Sequence, residues 1–161
     1  MSEKKLLIFL VLFFSITVKS FSLEPDIFVQ STVNRASKLL SENISKDQKI
    51  EKLKLIARET VDIRGIGFYT LGSKRKNLNN EEKIQYLNLF EEYFLKSFSS
   101  RLAEYTNPEI DVNNKKKLSE TYTIVNSTLK ATSERPEIKI DWRIYTKDPD
   151  NPLIRDLIIE G

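Results

Sequence analysis

The stretch Asn79 to Tyr105, NNEEKIQYLNLFEEYFLKSFSSRLAEY, decides the fold. Ile84, Leu87, Phe90, Phe94, Phe98, Leu102 and Tyr105 succeed one another at steps of three or four, the spacing that keeps side chains on one helical face. Asn79 is placed to cap the start, with Glu82 three residues on to reach back to its backbone N–H. Asn107-Pro108 marks an end, because the residue before a proline is pushed out of the α region. The spacing predicts a helix over 80–106, about 40 Å long at 1.5 Å per residue. Such a stripe has to face a large apolar surface, and no second helix of matching length can be read in the chain.

Upstream, Pro25 and Asp26 suit a first helical turn, and Val29, Val33, Ala36 and Leu40 continue as an apolar stripe. Ser45 and Gln48 form a capping box for a second helix that carries Ile50, Leu53, Ala57 and Val61 on one face. A third, less regular segment over 62–71 contains Gly65 and Gly67 and stops at Leu71-Gly72, with the glycine in the position just past a helix that favours left-handed backbone. These glycines permit close backbone approach to the long helix, or serve flexibility alone. The basic run Lys74-Arg75-Lys76 suits solvent, anionic headgroups or an acidic partner surface equally well.

Downstream of Pro108 the period changes. Leu118 to Leu129 is rich in Thr, Tyr, Ile and Val, and Lys115 to Lys117 reads as a hairpin tip. Ile138, Ile140, Trp142 and Ile144 alternate with Glu137, Lys139, Asp141 and Arg143, the pattern of a strand with one buried and one wet face. The turn KDPDNP, Lys147 to Pro152, returns the chain into Leu153 to Glu160, a strand apolar on both sides at Leu157, Ile158 and Ile159. Helices first and strands afterwards, without βαβ alternation, predict an α+β fold. N-terminal helices, the long one above all, pack on a curved antiparallel sheet.

The first 22 residues read as a secretory signal, with Lys4 and Lys5 ahead of the apolar run Leu6 to Val18 and a small-residue cleavage site at Val18-Lys19-Ser20 or Ser20-Phe21-Ser22. Spanning a bilayer takes about 20 apolar residues, more than this run offers. The expectation is an exported, soluble mature chain over 23–161, forming one domain. Of 26 basic and 23 acidic residues, the signal holds three lysines and one glutamate, so its removal lowers the net charge from +3 to +1. The basic balance is therefore no argument for nucleic acid as a partner.

The chain has no cysteine and no histidine. It thus lacks a thiol nucleophile, the usual general base of hydrolytic triads and the commonest metal ligand. Acid–base chemistry would fall to Asp141, Asp156 or Glu160, for which an ion pair with Arg143 or Arg155 is the structural alternative. Neither a phosphate-binding glycine loop nor a nucleophile motif occurs, and no cofactor is called for. The apolar faces of the third segment, the long helix and the strand over 138–144 suit either a solid core or a ligand cavity.

Four pieces in order bear on that choice: Leu71-Gly72; Phe90-x3-Phe94-x3-Phe98-x3-Leu102-x2-Tyr105; the strand IKIDWRIY over 138–145; and Asp156-x3-Glu160-Gly161. Together they resemble the MlaC (toluene-tolerance) family of periplasmic phospholipid carriers. The resemblance implies acyl chains held between helices and sheet. The lipid-binding positions carried over are Phe68, Leu71, Phe90, Phe94, Phe98, Ile138, Ile140, Trp142, Leu157 and Ile159. It also implies a periplasmic shuttle without enzymatic activity. Such a shuttle serves outer-membrane lipid asymmetry, with an outer-membrane lipoprotein–porin complex and an inner-membrane ABC transporter as partners. The family pattern continues past its Glu-Gly with a Val-Ser pair and a helical segment, so the chain reads as C-terminally short. Two rivals from other classes are a small cone-shaped α+β enzyme using Asp141 or Asp156 as base, and a non-catalytic periplasmic interaction module with a filled core.

Overall fold

The computed structural model describes residues 23–160; the expected export signal lies outside the described residues. Helix α1 (Pro25–Ser41) starts on a proline, whose fixed φ suits the first turn, and buries Val29, Val33 and Leu40. Helix α2 (Lys46–Thr60) opens with the expected capping box, Gln48 N–H donating to Ser45 Oγ at 3.2 Å and Ser45 N–H to Gln48 Oε1 at 3.0 Å. The segment expected to be irregular forms a short helix α3 (Ile63–Thr70), capped by Asp62 through a 2.9 Å bond from Gly65 N–H. Gly72 ends it with φ at 53°, and a 3₁₀ turn over Gly72–Lys76 leads to helix α4.

Helix α4 (Asn80–Leu102) carries the second capping box, Asn79 with Glu82, at 2.8 and 2.9 Å. It stops at Leu102, short of the expected residue 106. The last turns tighten to three-residue bonds, Glu104 N–H to Arg101 O at 3.3 Å and Tyr105 N–H to Leu102 O at 3.0 Å, which unwinds the α ladder before the proline is reached. This tightening brings Tyr105 against Leu39, Leu40 and Leu53, a small apolar cluster at one end of the molecule. Asn107, with φ at 48°, then turns the chain towards the sheet.

Four antiparallel strands follow in the spatial order β1-β2-β3-β4: β1 (Ile110–Ser119), β2 (Tyr122–Leu129), β3 (Ile138–Tyr145) and β4 (Leu153–Glu160). Lys115 to Lys117 do not form the hairpin tip. They lie within β1 opposite Val125, Ile124 and Thr123, and the chain reverses at Glu120-Thr121. Lysines blunt an edge strand, and here Lys115 also bonds Glu24 and, at 2.7 Å, Asp26 at the start of α1. The other edge is partly covered: Val61 bridges to Ile154, and Asp62 N–H donates to Ile154 O at 2.9 Å.

The alternation in β3 places Ile140, Trp142 and Ile144 on the buried face, opposite Ile159, Leu157 and Ile154 of β4. Arg155 is the extra residue of a bulge that keeps this pairing in phase. Phe28, Val29, Val33, Ala57, Val61, Ile63 and Leu95 cover that face from the helices, so the core lies between one helical layer and one sheet.

Candidate functional site

Between the layers the core is not filled. A cavity of about 170 Å³ lies among α1, α2, the end of α4 and the sheet, with Val33, Leu40, Ala57, Phe98, Ile140 and Leu157 among its walls. A second, of about 190 Å³, lies between Ile66 and Phe94 on the helical side and Ile154 and Leu157 on the sheet. Val61, Phe98, Trp142, Ile154 and Leu157 line both cavities. One set of side chains thus divides a single apolar space in two.

The partition is held from both layers. Phe90, Phe94 and Phe98 recur every four residues along α4 and stack in sequence, with ring centroids 6.2 and 5.3 Å apart. From the sheet, the indole Nε1 of Trp142 donates to Ser127 Oγ at 2.7 Å, and Ser127 Oγ donates to Ile140 O at 3.2 Å. Gly67 lets α3 approach α4 closely: a Cβ there would stand 2.7 Å from Phe90 Cδ1. Gly65 faces its own cap, Asp62, and so plays no part in that approach.

Three hydroxyls of the 170 Å³ cavity are committed to backbone. Thr32 Oγ1 donates to Phe28 O at 2.9 Å, Ser37 Oγ to Pro108 O at 2.8 Å and Thr60 Oγ1 to Ile56 O at 2.7 Å. With their hydrogens committed to backbone carbonyls, these side chains present mainly carbon, and the space is suited to hydrocarbon.

At one end of the 190 Å³ cavity Arg155 is already engaged. It donates to Asp62 Oδ2, through Nε at 2.8 Å and through Nη2, and to Tyr122 Oη at 2.7 Å, and it stacks on the Tyr145 ring at 4.0 Å. Burial alone would lower the pKa of its guanidinium; the bonds to Asp62 and Tyr122 outweigh that and raise it. Asp156 pairs with Arg143 at 3.6 Å, and Asp141 accepts a 2.6 Å bond from Asn126 Nδ2. No group of three or more potential metal ligands occurs among the described residues.

Of the residues singled out in the sequence, Phe94, Phe98, Ile140, Trp142, Leu157 and Ile159 come together on the cavity walls. Phe68, Leu71, Phe90 and Ile138 do not. Phe68 is partly exposed beneath the Arg75 guanidinium, Leu71 is buried beside the 3₁₀ turn, Phe90 packs on Gly67, and Ile138 flanks the core. The sequence reading passed over the contribution of α1 and α2, although the stripe Val33, Ala36, Leu40 and Leu53, Ala57, Val61 was visible; a stripe shows that a face is buried, not which space it faces.

Three comparisons bear on this architecture. The family model described as "MlaC protein" matches residues 30–161. Among solved structures, a phospholipid-binding protein from Ralstonia solanacearum, in complex with a phospholipid, superposes with a TM-score of 0.68 at 15% identity. The match covers 84% of this chain and 78% of that one. No curated protein matches the chain.

Proposed function

The chain belongs to the MlaC protein family, and from that premise we propose that it is a soluble periplasmic carrier that takes one phospholipid into the divided space between helices and sheet. The observation that carries this reading is the apolar space itself, whose Thr32, Ser37 and Thr60 hydroxyls are bonded inwards and whose walls come from both layers. The phospholipid in the Ralstonia protein of the same fold supports it. No helix among the described residues is long and apolar enough to cross a membrane.

The energetics favour a passive carrier. Two acyl chains hold roughly 30 methylenes, and exposing them to water at about 0.8 kcal/mol each costs about 25 kcal/mol. A cavity as apolar as the bilayer cancels most of that cost without a bond being made. Hand-over between an outer-membrane lipoprotein–porin complex and an inner-membrane ABC transporter completes the proposal, with the export signal over 1–22 delivering the chain and 23–161 acting as one lipid-binding domain.

Organic extraction of the chain purified from a periplasmic fraction, followed by mass spectrometry, tests this. The expected result is phospholipid in near one-to-one ratio with protein. A chain that carries none, and extracts none from vesicles, overturns the reading.

A further inference from the structure

Deep among the tails a headgroup finds little to bond, because the Thr32, Ser37 and Thr60 hydroxyls of the 170 Å³ cavity are committed to backbone carbonyls. At Tyr105, Pro108 and Leu129, however, that cavity shares its wall with a polar cleft of about 310 Å³ between the end of α4 and the connection from β2 to β3. Charge distinguishes this end from the other. Arg155 at the 190 Å³ cavity is already bonded to Asp62 and Tyr122. In the cleft, Arg135 lies over the Tyr105 ring at 4.4 Å and has no carboxylate partner among the described residues.

Of the other charges of the cleft, Lys130 and Glu104 are taken up in ion pairs. Lys130 lies between Glu109 at 3.2 Å and Asp111 at 3.3 Å, and Glu104 pairs with Lys46 at 3.8 Å. Arg135 and the neighbouring Glu134 stay unpaired, one of each sign. Their turn is closed by three bonds: Thr132 N–H to Arg135 O at 2.9 Å, and Glu134 N–H and Arg135 N–H to Thr132 Oγ1 at 3.3 and 3.2 Å. The cleft therefore offers a guanidinium, held on an aromatic ring, next to a free carboxylate, across a shared wall from an apolar space.

We infer that this cleft is the headgroup site of the carried lipid and selects a zwitterionic, amine-bearing phospholipid, with the phosphate on Arg135 and the ammonium on Glu134. The inference rests on the carrier reading above. An anionic headgroup without an amine satisfies Arg135 but leaves its hydroxyls facing the uncompensated Glu134 carboxylate, and so fits less well.

The test offers the full chain vesicles containing equal parts phosphatidylethanolamine, phosphatidylglycerol and diacylglycerol, all with the same oleoyl chains, and measures the extracted lipids by mass spectrometry. The native chain is expected to enrich phosphatidylethanolamine over phosphatidylglycerol. Arg135→Gln should lower phospholipid uptake relative to diacylglycerol about ten-fold, the usual weight of a charge-assisted bond. Glu134→Gln should abolish the preference between the two phospholipids. Both side chains are exposed, and unchanged thermal melting verifies that the variants fold. An Arg135→Gln chain with an unaltered ratio of phospholipid to diacylglycerol, or a native chain that takes both phospholipids equally, overturns the headgroup site and leaves the carrier standing. Extraction of none of the three overturns the carrier reading itself.

Discussion

The indole Nε1 of Trp142 on β3 donates to the hydroxyl of Ser127 on β2 at 2.7 Å, and this bond fixes the ring that divides the apolar space. Register explains why it forms. Ser127 faces Ile140, two residues from Trp142 on the same side of the sheet, so a long side chain reaches it on the diagonal. Both groups are buried, and Ser127 passes its own hydrogen to Ile140 O.

Ser127→Ala leaves the indole N–H without a partner in a site closed to water. The expected loss is about 1–3 kcal/mol in urea denaturation, the cost of a buried unsatisfied donor. Trp142 is the single tryptophan, so its fluorescence reports the site directly. Unchanged stability and emission would show that the bond does not hold the ring.

Much of this arrangement was legible before the structure, and the reasons differ by element. Both capping boxes were readable because their chemistry is local, Ser45 with Gln48 and Asn79 with Glu82. The buried face of β3 was readable because four apolar residues alternate without a break. Strand β1 was not: Ile110 to Ser119 is mostly lysine, asparagine and aspartate, and its strand state follows from pairing with β2 rather than from any pattern of its own. The end of α4 was misplaced by four residues because Pro108 limits a helix but cannot say how far ahead of it the last turn tightens. Arg135 was passed over because only the fold brings it to Tyr105.

Gly67→Ala sets two effects against each other. Alanine gains about 1 kcal/mol of helix propensity over glycine. Its Cβ would stand 2.7 Å from Phe90 Cδ1 and 3.2 Å from Leu87 Cδ2, and the Phe90 ring is flanked by Tyr86 and Phe94 and cannot simply turn aside. Overpacking of about 1–3 kcal/mol should win, giving a lower melting temperature. Adding Phe90→Leu should recover part of the loss, and a stabilised single variant would mean that α3 has room to move.

Asp62 serves two masters, capping α3 through Gly65 N–H and holding Arg155 at the bulge of β4. Asp62→Ala therefore removes a cap worth about 1 kcal/mol and leaves a half-buried guanidinium without its counter-charge, for about 3–4 kcal/mol in all. Arg155→Met should cost less, since the cap survives. A double-mutant cycle by urea denaturation is expected to show coupling of more than about 1 kcal/mol; strict additivity would reduce the pair to a surface contact.

Phe98 closes the partition from the helical side, and its removal bears on how a lipid enters. Cavities of about 170 and 190 Å³ each fall short of the roughly 300–1,000 Å³ of ordinary ligand sites, so a carrier of this kind must part its dividing side chains to load. Phe98→Ala removes one of them and should join the two spaces. The cost to stability is about 3 kcal/mol, as for a large core aromatic cut to alanine. Uptake from vesicles should nevertheless become faster, because the ring no longer has to be displaced. Stopped-flow fluorescence of Trp142 on mixing with vesicles measures the rate, and urea denaturation followed by the same emission measures the stability. If loading leaves the emission of the native chain unaltered, or alters it at a rate that Phe98→Ala does not change, lipid does not pass the partition, and the two cavities are packing defects rather than one divided site.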